Sequence, residues 1–464
     1  MLRRSDAYDQ TKTAFPSNSH YGAVACRLVR QEPKTGGKSR LFKPISLTRD
    51  ARSRGECAIM RIGVLFLRGS ARAAVAAAFW LGALRGYAGS PAAWPTYHGD
   101  AGLAGVAAGD LPDRPALLWR FSAGAPVKAT PVIGGGMAFF ANDKGKIFAV
   151  NMEGREVWSR TLPEGTNGTA TFDAPLLCAD GALVAGSVSG RLYALDPATG
   201  ATRWEYALDH PIRGSPNVFP NPIDGRAQVV VLSQDEGVLH CLDLATGRKV
   251  WESQKSDRTE GSFAVAQQTI VFGNCAAALH FFAVRDGSLI GSLPLCGDCQ
   301  VAGGVALTGD GRVFAGTRSG RVFCADIRQR AVVWVNTNCT AEVFTTPAVG
   351  SRRVVVGANN ATVYCLDRAS GELAWQVQCR GRPDSAVIAG AKVVVSAGGA
   401  LCLLSLKDGS TLWSRDLGDD ATSPAVVNGM ILAGSDDGSV YAFGQPASAR
   451  QPAASPAAQS RTER

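Results

Sequence analysis

The stretch Ala194-Leu-Asp-Pro-Ala-Thr-Gly-Ala-Thr-Arg-Trp204 recurs in degraded form about every forty residues along most of the chain. Its final position recurs at Trp119, Trp158, Trp204, Trp251, Gly291, Trp334, Trp375 and Trp413. A unit of this size cannot bury its own apolar face, so it must stack on copies of itself. The eight positions therefore predict eight repeats, with the tryptophan rings docked between neighbouring units.

Each repeat has the pattern of antiparallel β structure. Short runs rich in branched residues, such as Val229–Val231 and Val393–Val395, alternate with turns of Gly, Asn or Asp. Within the motif, we expect Asp196 to accept hydrogen bonds from its own turn and Gly200 to reverse the chain. The sequence predicts an all-β fold, an eight-bladed β-propeller of four-stranded antiparallel blades.

The last repeat lacks one strand. Residues after Trp413 supply three strands, at 423–427, 430–434 and 439–443. We expect the fourth strand to come from the front of the domain, at Leu117–Phe121, because this would remove an open sheet edge. The predicted propeller therefore spans residues 116–444, with its last blade closed by an N-terminal strand.

The repeats resemble the quinoprotein (PQQ-type) β-propeller family. The motif is intact at Ala194–Trp204, nearly intact at Cys241–Trp251 and Cys365–Trp375, and preceded by the lead-in Trp94-Pro-Thr-Tyr-His-Gly-Asp100. The resemblance covers residues 94–444 and implies eight blades docked by tryptophan. The family includes PQQ-dependent dehydrogenases and cofactor-free scaffolds of the outer-membrane assembly lipoprotein type, to which this chain is closest in size.

The N-terminal region is interpreted as an export leader. Residues 1–59 have no periodicity and are interpreted as a disordered or spurious extension, and residues 60–88 as a signal peptide. The apolar run Ala73–Leu84 is too short to span a bilayer, so we expect no transmembrane span. An interfacial or uncleaved anchor is the alternative. Residues 89–115 form a lead-in segment, residues 445–464 are expected to be a disordered tail, and the location is expected to be periplasmic or secreted.

The positive charge belongs to the leader. Residues 1–88 hold 16 Lys and Arg against 5 Asp and Glu, or +11, whereas the whole chain carries +9, so the remainder carries −2. The basic composition therefore gives no reason to expect a nucleic-acid partner. We expect a monomer.

Of the twelve cysteines, the ten that follow residue 88 fall into two groups by position. Six lie in strand-like runs and are interpreted as buried thiols: Cys178, Cys241, Cys275, Cys324, Cys365 and Cys402. Four lie in the connections between three successive blades, on one rim: Cys296, Cys299, Cys339 and Cys379. These four could form two disulfides, remain thiols, or make a metal or redox site. The Cys296-Gly-Asp-Cys299 sequence lacks the strand–helix context of thioredoxin, and Gln300 stands where haem attachment needs histidine.

The resemblance also bears on catalysis. Catalytic members resemble one another in an adjacent Cys-Cys disulfide beside the quinone and in carboxylate and amide ligands for calcium. This sequence has no adjacent Cys-Cys pair. We therefore predict no catalytic residues and no cofactor. The alternative is a PQQ- and calcium-dependent oxidoreductase acting on alcohols or sugars.

A candidate binding face lies on one rim of the propeller. The residues just before the innermost strands include Lys128, Asp173, Arg213, Glu260 and Asp384, a ring of mixed charge at the channel mouth. One interpretation is a solvated rim with local salt bridges, which contribute little individually. The other is a polar ligand or peptide site in which Lys128 and Arg213 pair with a carboxylate.

The sequence thus favours an exported, non-catalytic scaffold that binds another envelope protein, with a small polar ligand as a further possibility. The second alternative is a thiol or metal redox site at the rim cysteines. The assembly lipoproteins carry a lipid-modified cysteine after the signal, and none occurs between Ala88 and Cys178. We therefore expect a chain without that anchor.

Overall fold

The computed structural model describes residues 93–164 and 168–446. Every regular element in these residues is a β-strand. The strands form eight sheets of four antiparallel strands, arranged as an eight-bladed β-propeller, with one short parallel strand added to the seventh sheet and a separate two-stranded hairpin. The predicted fold class is confirmed.

The strands follow the chain blade by blade. Two strands precede the repeats, β1 (Val106–Ala107) and β2 (Ala116–Ser122). Blades 1 and 2 comprise β3 (Val132–Gly134), β4 (Met137–Ala141), β5 (Lys146–Asn151) and β6 (Glu156–Thr161), then, after the hairpin β7 (Pro163–Glu164) and β8 (Gly168–Thr169), β9 (Leu177–Ala179), β10 (Ala182–Gly186), β11 (Arg191–Leu195) and β12 (Thr202–Ala207). Blades 3 and 4 comprise β13 (Asn217–Pro220), β14 (Ala227–Ser233), β15 (Val238–Asp243) and β16 (Lys249–Glu252), then β17 (Ala264–Ala266), β18 (Thr269–Gly273), β19 (Ala278–Ala283) and β20 (Leu289–Pro294).

The second half continues in the same order. Blades 5 and 6 comprise β21 (Val305–Leu307), β22 (Arg312–Gly316), β23 (Val322–Asp326) and β24 (Ala331–Asn336), then β25 (Ala348–Val349), β26 (Arg353–Ala358), β27 (Thr362–Asp367) and β28 (Leu373–Gln378). Blade 7 comprises β29 (Val387–Ala389), β30 (Lys392–Ala397), β31 (Ala400–Ser405) and β32 (Thr411–Asp416). Blade 8 comprises β33 (Ala425–Val427), β34 (Met430–Gly434), β35 (Ser439–Gly444) and β2.

The repeated motif forms a β-bulge in every blade. Ala194 pairs with Trp204, and the register shifts at the next residue, because the motif supplies one extra residue to the outermost strand. Equivalent shifts occur between the third and outermost strands of the other seven blades. The Asp196 carboxylate accepts bonds from the Ala198 and Thr199 N–H groups, as the motif predicts.

The tryptophans dock each blade against the next. Six indole N–H groups donate to a backbone carbonyl of the following blade, at 2.8 to 3.1 Å, from Trp119, Trp158, Trp204, Trp251, Trp334 and Trp375. Trp413 instead contacts the Phe443 ring of blade 8, with ring centroids 5.4 Å apart. Gly291 lacks a ring, so this one junction uses a different contact, considered below.

The ring closes as the sequence predicts. Strand β2 pairs antiparallel with β35, with Leu117 opposite Phe443 and Ser122 opposite Ser439. The observed strand extends the predicted segment by one residue at each end. The N-terminal strand therefore completes blade 8 and joins the two ends of the propeller.

The lead-in segment follows a path that the sequence did not reveal. It crosses the innermost strands in turn, and its carbonyls accept backbone N–H bonds from blades 1, 2, 4, 5, 6 and 7, at Ile133, Cys178, Val265, Leu307, Val349 and Ile388. Blade 3 contacts it through Asn217, whose side-chain amide donates to the Ala101 carbonyl. Seven blades are thus tied together by one short segment, which ends as β1 beside β29.

Several sequence-based predictions lie outside the described residues. These are the extension at 1–59, the signal peptide at 60–88, the first residues of the lead-in and most of the tail at 445–464. Across residues 93–164 and 168–446, no helix is long and apolar enough to cross a membrane.

Candidate functional site

The five charged residues predicted at the channel mouth line one cavity. Lys128, Asp173, Arg213, Glu260 and Asp384 surround a space of about 220 Å³. Each one lies in the connection that leads into an innermost strand, which brings residues from five blades to the same rim. The remaining three blades contribute Gly303, Gly304, Phe344, Thr346 and Ser423. This rim cavity therefore belongs to the whole ring and is absent from any single blade.

The floor of the rim cavity comes from the lead-in. Tyr97 lines the cavity, and its hydroxyl donates to the Ser385 Oγ at 2.8 Å. Burial, with the nearby Asp384 carboxylate, raises the pKa of the Tyr97 phenol, so this group stays protonated. The sequence contained Tyr97 in the lead-in motif but gave no signal that it would enter the channel.

Asp384 is held at the bottom of the same cavity. Its Oδ1 accepts a bond from its neighbour's backbone, the Ser385 N–H, at 2.7 Å and from the Ser423 hydroxyl at 2.9 Å. Burial raises the pKa of the Asp384 carboxyl, although these two hydrogen bonds oppose the shift. Asp384 is therefore a structural acceptor that joins blades 7 and 8.

Glu260 forms a local salt-bridge pair. Its carboxylate lies 2.6 Å from the Arg318 guanidinium and 3.2 Å from that of Arg258. Arg318 also stacks over the Phe344 ring, 5.0 Å from its centroid. The sequence missed Arg318 because it comes from the β22–β23 hairpin, whereas the predicted ring used only the connections between blades.

The other three charged residues at the mouth are exposed. No ion pair formed within the described residues includes Lys128, Asp173 or Arg213. Lys128 and Arg213 therefore present two cations to solvent, together with the exposed Asp173 carboxylate, at a cavity whose other two carboxylates, Glu260 and Asp384, are already bonded. Such an arrangement can pair with a carboxylate or another anionic group brought by a ligand.

The rim cavity does not fit the calcium ion that the catalytic family members hold beside the quinone. Within the described ranges, Cys296, Asp298 and Cys299 form the only group of three thiol, imidazole or carboxylate ligands, and they do not line the cavity. Glu260 is held by two arginines and Asp384 by hydrogen bonds. Two of the three cavity carboxylates are thus committed to other contacts, and the third, Asp173, is exposed, so the three are not gathered for a calcium ion.

The four rim cysteines do not converge. A disulfide joins Cys296 to Cys299, within one connection, while Cys339 and Cys379 carry thiols. Cys339 packs in the apolar cluster between blades 5 and 6, and Cys379 contacts the cluster between blades 6 and 7. Burial raises the pKa of Cys339 to about 12 and of Cys379 to about 11, so both are protonated and unreactive at neutral pH.

The cysteines expected inside the blades are mostly where the pattern predicts. Cys241, Cys324 and Cys365 lie on third strands and are buried thiols. Cys178 and Cys402 lie in strands, as expected, but are only partly buried. Cys275 is also only partly buried, and it lies in the turn between β18 and β19 and not in a strand.

Comparison with known proteins gives a consistent family. A model described as outer membrane protein assembly factor BamB matches residues 113–292 and 280–462. The BamB of Yersinia pestis is 25% identical over 345 residues, which cover 70% of this chain and 78% of that protein. A further curated relative of the same name is matched over 56% of its length.

Solved structures extend the likeness of fold. The crystal structure of BamB from Moraxella catarrhalis superposes with a TM-score of 0.58 at 19% identity, covering 72% of this chain and 98% of that one. The quinohemoprotein alcohol dehydrogenase of Comamonas testosteroni superposes with a TM-score of 0.64 at 14% identity, covering 80% of this chain and 83% of that one. At these identities the two likenesses concern the propeller fold and do not choose between a scaffold and an enzyme.

Proposed function

Because this chain belongs to the family of outer membrane protein assembly factor BamB, we propose that it is an exported, non-catalytic scaffold in outer membrane protein assembly. In this role it works on the periplasmic side of the envelope and binds a protein partner. The rim of the propeller, around the cavity that all eight blades line, is the binding surface. The observation that carries this proposal is the pair of exposed cations, Lys128 and Arg213, neither of which forms an ion pair within the described ranges.

The chemistry of the rim suits an acidic partner segment. The carboxylates of Glu260 and Asp384 are already bonded inside the protein, so the two exposed cations, Lys128 and Arg213, face one exposed carboxylate, Asp173, and leave one positive charge in excess. A rigid ring that presents exposed connections from every blade can hold a partner without folding around it. Electrostatic attraction at such a rim mainly increases the association rate and selects the partner.

Site-specific photocrosslinking in the native envelope tests the surface. A photoreactive residue at Asp173, on the rim, is expected to capture a subunit of the outer membrane protein assembly machinery. The matched control carries the photoreactive residue in place of Val157, which is exposed on the outermost strand of blade 1, away from the rim. Equal capture at both positions, or none at Asp173, would reject the rim as the binding surface.

A charge reversal tests the chemistry. Lys128→Glu with Arg213→Glu is expected to reduce the rim crosslink at least tenfold while the melting temperature stays unchanged, because both side chains are exposed. Arg155→Glu with Arg226→Glu, at two exposed arginines outside the rim cavity, is the charge-matched control. An undiminished crosslink in the double variant would contradict the proposal.

The competing proposal is a PQQ-dependent oxidoreductase. The poor fit of the rim cavity to a calcium ion disfavours it. Purified protein mixed with PQQ and calcium is therefore expected to show no stoichiometric quinone spectrum and no dye reduction with alcohols or sugars. Saturable uptake with turnover would replace the scaffold proposal by the enzyme.

A further inference from the structure

One cysteine pair lies in a setting unlike that of the other thiols. Cys296 and Cys299 follow the outermost strand of blade 4, in the connection toward blade 5. Cys296 is half-buried and Cys299 is fully buried, so the two sulfurs differ in their access to solvent. The connection continues to Ala302, Gly303 and Gly304, which line the rim cavity.

A neighbouring hairpin aims a cation at both sulfurs. The Arg321 Nη1 lies 2.6 Å from the Cys296 Sγ and 3.1 Å from the Cys299 Sγ. The Ser319 hydroxyl, from the same hairpin, lies 3.3 Å from the Cys299 Sγ. A guanidinium and a hydroxyl at these distances stabilise a thiolate, the form that a disulfide releases when it is reduced. For Cys339, by contrast, burial alone raises the pKa of the thiol.

We propose that Cys296 and Cys299 form a reversible dithiol–disulfide site, with Arg321 and Ser319 positioned to stabilise the thiolate of Cys299. The site takes electrons from a thiol reductant. The reductant thiolate attacks the accessible Cys296 Sγ, a mixed disulfide forms there, and the Cys296–Cys299 bond breaks with its electron pair on Cys299. A second reductant thiolate attacks the sulfur of the first, which forms the oxidised reductant and releases Cys296 as a thiolate that takes up a proton.

The same contacts argue against a metal ion. Asp298 would be the third ligand, but its carboxylate lies 2.7 Å from the Arg321 Nη1. A guanidinium that contacts both disulfide sulfurs and the carboxylate occupies the position where a cation would need to bind. The geometry instead suits a site that gains negative charge on reduction, because the Arg321 guanidinium is already in place to neutralise the thiolate.

The site also touches the rim cavity through the backbone. The Arg318 N–H donates to the Gln300 carbonyl at 2.9 Å, and the Arg318 side chain holds Glu260 in the cavity wall. Cys299 is therefore the residue next to Gln300, whose carbonyl accepts a hydrogen bond from the residue that holds Glu260 in the cavity wall. This connection does not depend on which partner the rim binds.

Redox titration with glutathione tests the proposal. The whole purified chain is equilibrated at graded ratios of reduced to oxidised glutathione, the thiols are trapped by alkylation, and the peptide with both cysteines is measured by mass spectrometry. The wild-type pair is expected to convert within the titrated range. Arg321→Met is expected to shift the equilibrium at least tenfold toward the disulfide, which is about 30 mV for a two-electron couple.

Matched variants keep the result interpretable. Arg312→Met breaks an Arg–Asp pair at the other end of the same two strands, β22 and β23, and should leave the midpoint unchanged. If Arg321→Met fails to fold, Ser319→Ala should give a smaller shift in the same direction. A pair that stays oxidised or stays reduced at every ratio, an Arg321 shift no larger than that of Arg312, or stoichiometric zinc in the protein would each overturn the proposal.

Discussion

The glycine of the motif lies beneath the tryptophan of the preceding blade. A Cβ atom on Gly200 would lie 2.7 Å from the Trp158 ring, and one on Gly371 would lie 2.6 Å from the Trp334 ring. These glycines also have φ near +70°, which other residues rarely adopt. The motif therefore needs glycine for two reasons, the turn and the space for an indole.

At the junction between blades 4 and 5, the large residue and the small residue of this contact stand on opposite blades from their usual ones. Gly291 stands where the other repeats have tryptophan, and Arg330 stands at the glycine position with a φ of 50°. The Arg330 guanidinium donates to the Ile290 carbonyl at 2.9 Å, and its Cδ would lie 3.0 Å from a Cβ on Gly291. Here the small residue is in blade 4 and the large residue, from blade 5, packs against it. At the other glycine junctions the large residue is in the earlier blade and the glycine is in the later one.

A double-mutant cycle tests this exchange. Gly291→Trp alone should destabilise the protein by overpacking against Arg330, and Arg330→Gly alone should leave the junction unfilled. Together they restore the usual tryptophan-on-glycine contact, so we expect a favourable coupling free energy of about 1 kcal/mol or more. Urea denaturation of the four proteins measures it. Strictly additive effects would show that the two positions do not substitute for each other.

His98 makes the lead-in sensitive to acid. Its imidazole is buried, its Nδ1 lies 3.1 Å from the Leu103 carbonyl, and its Nε2 has no hydrogen-bond partner within the described ranges. Burial lowers the pKa of His98 from 6.5 to about 4. Between pH 6.5 and about 4, His98 is therefore protonated in the unfolded chain but neutral in the folded chain. The free energy of unfolding consequently falls as the pH falls through this window.

The pH dependence can be assigned by substitution. From pH 7 to pH 4.5, His98 should account for about 2 kcal/mol of lost unfolding free energy. His98→Asn, whose amide can still donate to the Leu103 carbonyl, should lower stability at pH 7 but remove that part of the acid loss. Urea midpoints of both proteins at the two pH values give the comparison. Parallel pH profiles would place the acid sensitivity elsewhere.

At the scale of elements, the lead-in acts as a clasp, by which we mean a segment that bonds to seven blades in turn and holds them together, and its last contacts are with blade 7. Lys392 is nearly buried, and its ammonium contacts the Asp110 carboxylate at 2.9 Å, the Asp113 carboxylate at 3.1 Å and the Leu111 carbonyl at 2.6 Å. The hydrogen bonds with Asp110 and Asp113 help raise the pKa of Lys392, although its burial opposes the shift. One cation thus fixes the end of a segment that otherwise makes mainly backbone contacts.

Removing this cation should loosen the segment without unfolding the ring. Lys392→Met leaves Asp110 and Asp113 exposed to water, so no buried charge remains unpaired. We expect hydrogen exchange at the amides of 103–111 to accelerate roughly tenfold while the blades keep their protection. Arg155→Met, which breaks an exposed pair with Glu153, should change neither. Faster exchange throughout the blades would show that the clasp stabilises the whole fold.

The sequence predicted the blades better than the clasp, for a physical reason. Blade count and the closing strand follow from side chains that repeat, such as Trp204 and its equivalents, and from the missing strand after Trp413. The lead-in bonds mostly through backbone carbonyls, as at Ala101 and Gly105, which leave little trace in residue identity. The five rim positions could be counted from strand order, whereas Tyr97 and Arg318 enter the cavity from elements that the counting did not include.

At the scale of the whole molecule, the junction between blades 8 and 1 is built like the others. Trp119 docks on blade 1 with its N–H 2.9 Å from the Met152 carbonyl, and Trp204 docks on blade 3 with its N–H 2.8 Å from the Leu244 carbonyl. Both indoles are half-buried. The difference is covalent, because the β2 strand that carries Trp119 comes from the opposite end of the chain from its blade partners.

This equivalence predicts how the ring unfolds. If the closed ring is one cooperative unit, Trp119→Ala and Trp204→Ala should each lower the unfolding free energy by about 3 kcal/mol, the cost of deleting a large packed ring, in a single transition. Calorimetry and urea denaturation followed by two probes measure both quantities. An early separate transition in Trp119→Ala alone would mean that the ring opens at its seam before the remaining blades unfold. In that case the seam, and with it the rim cavity to which every blade contributes, would be the least stable part of the molecule.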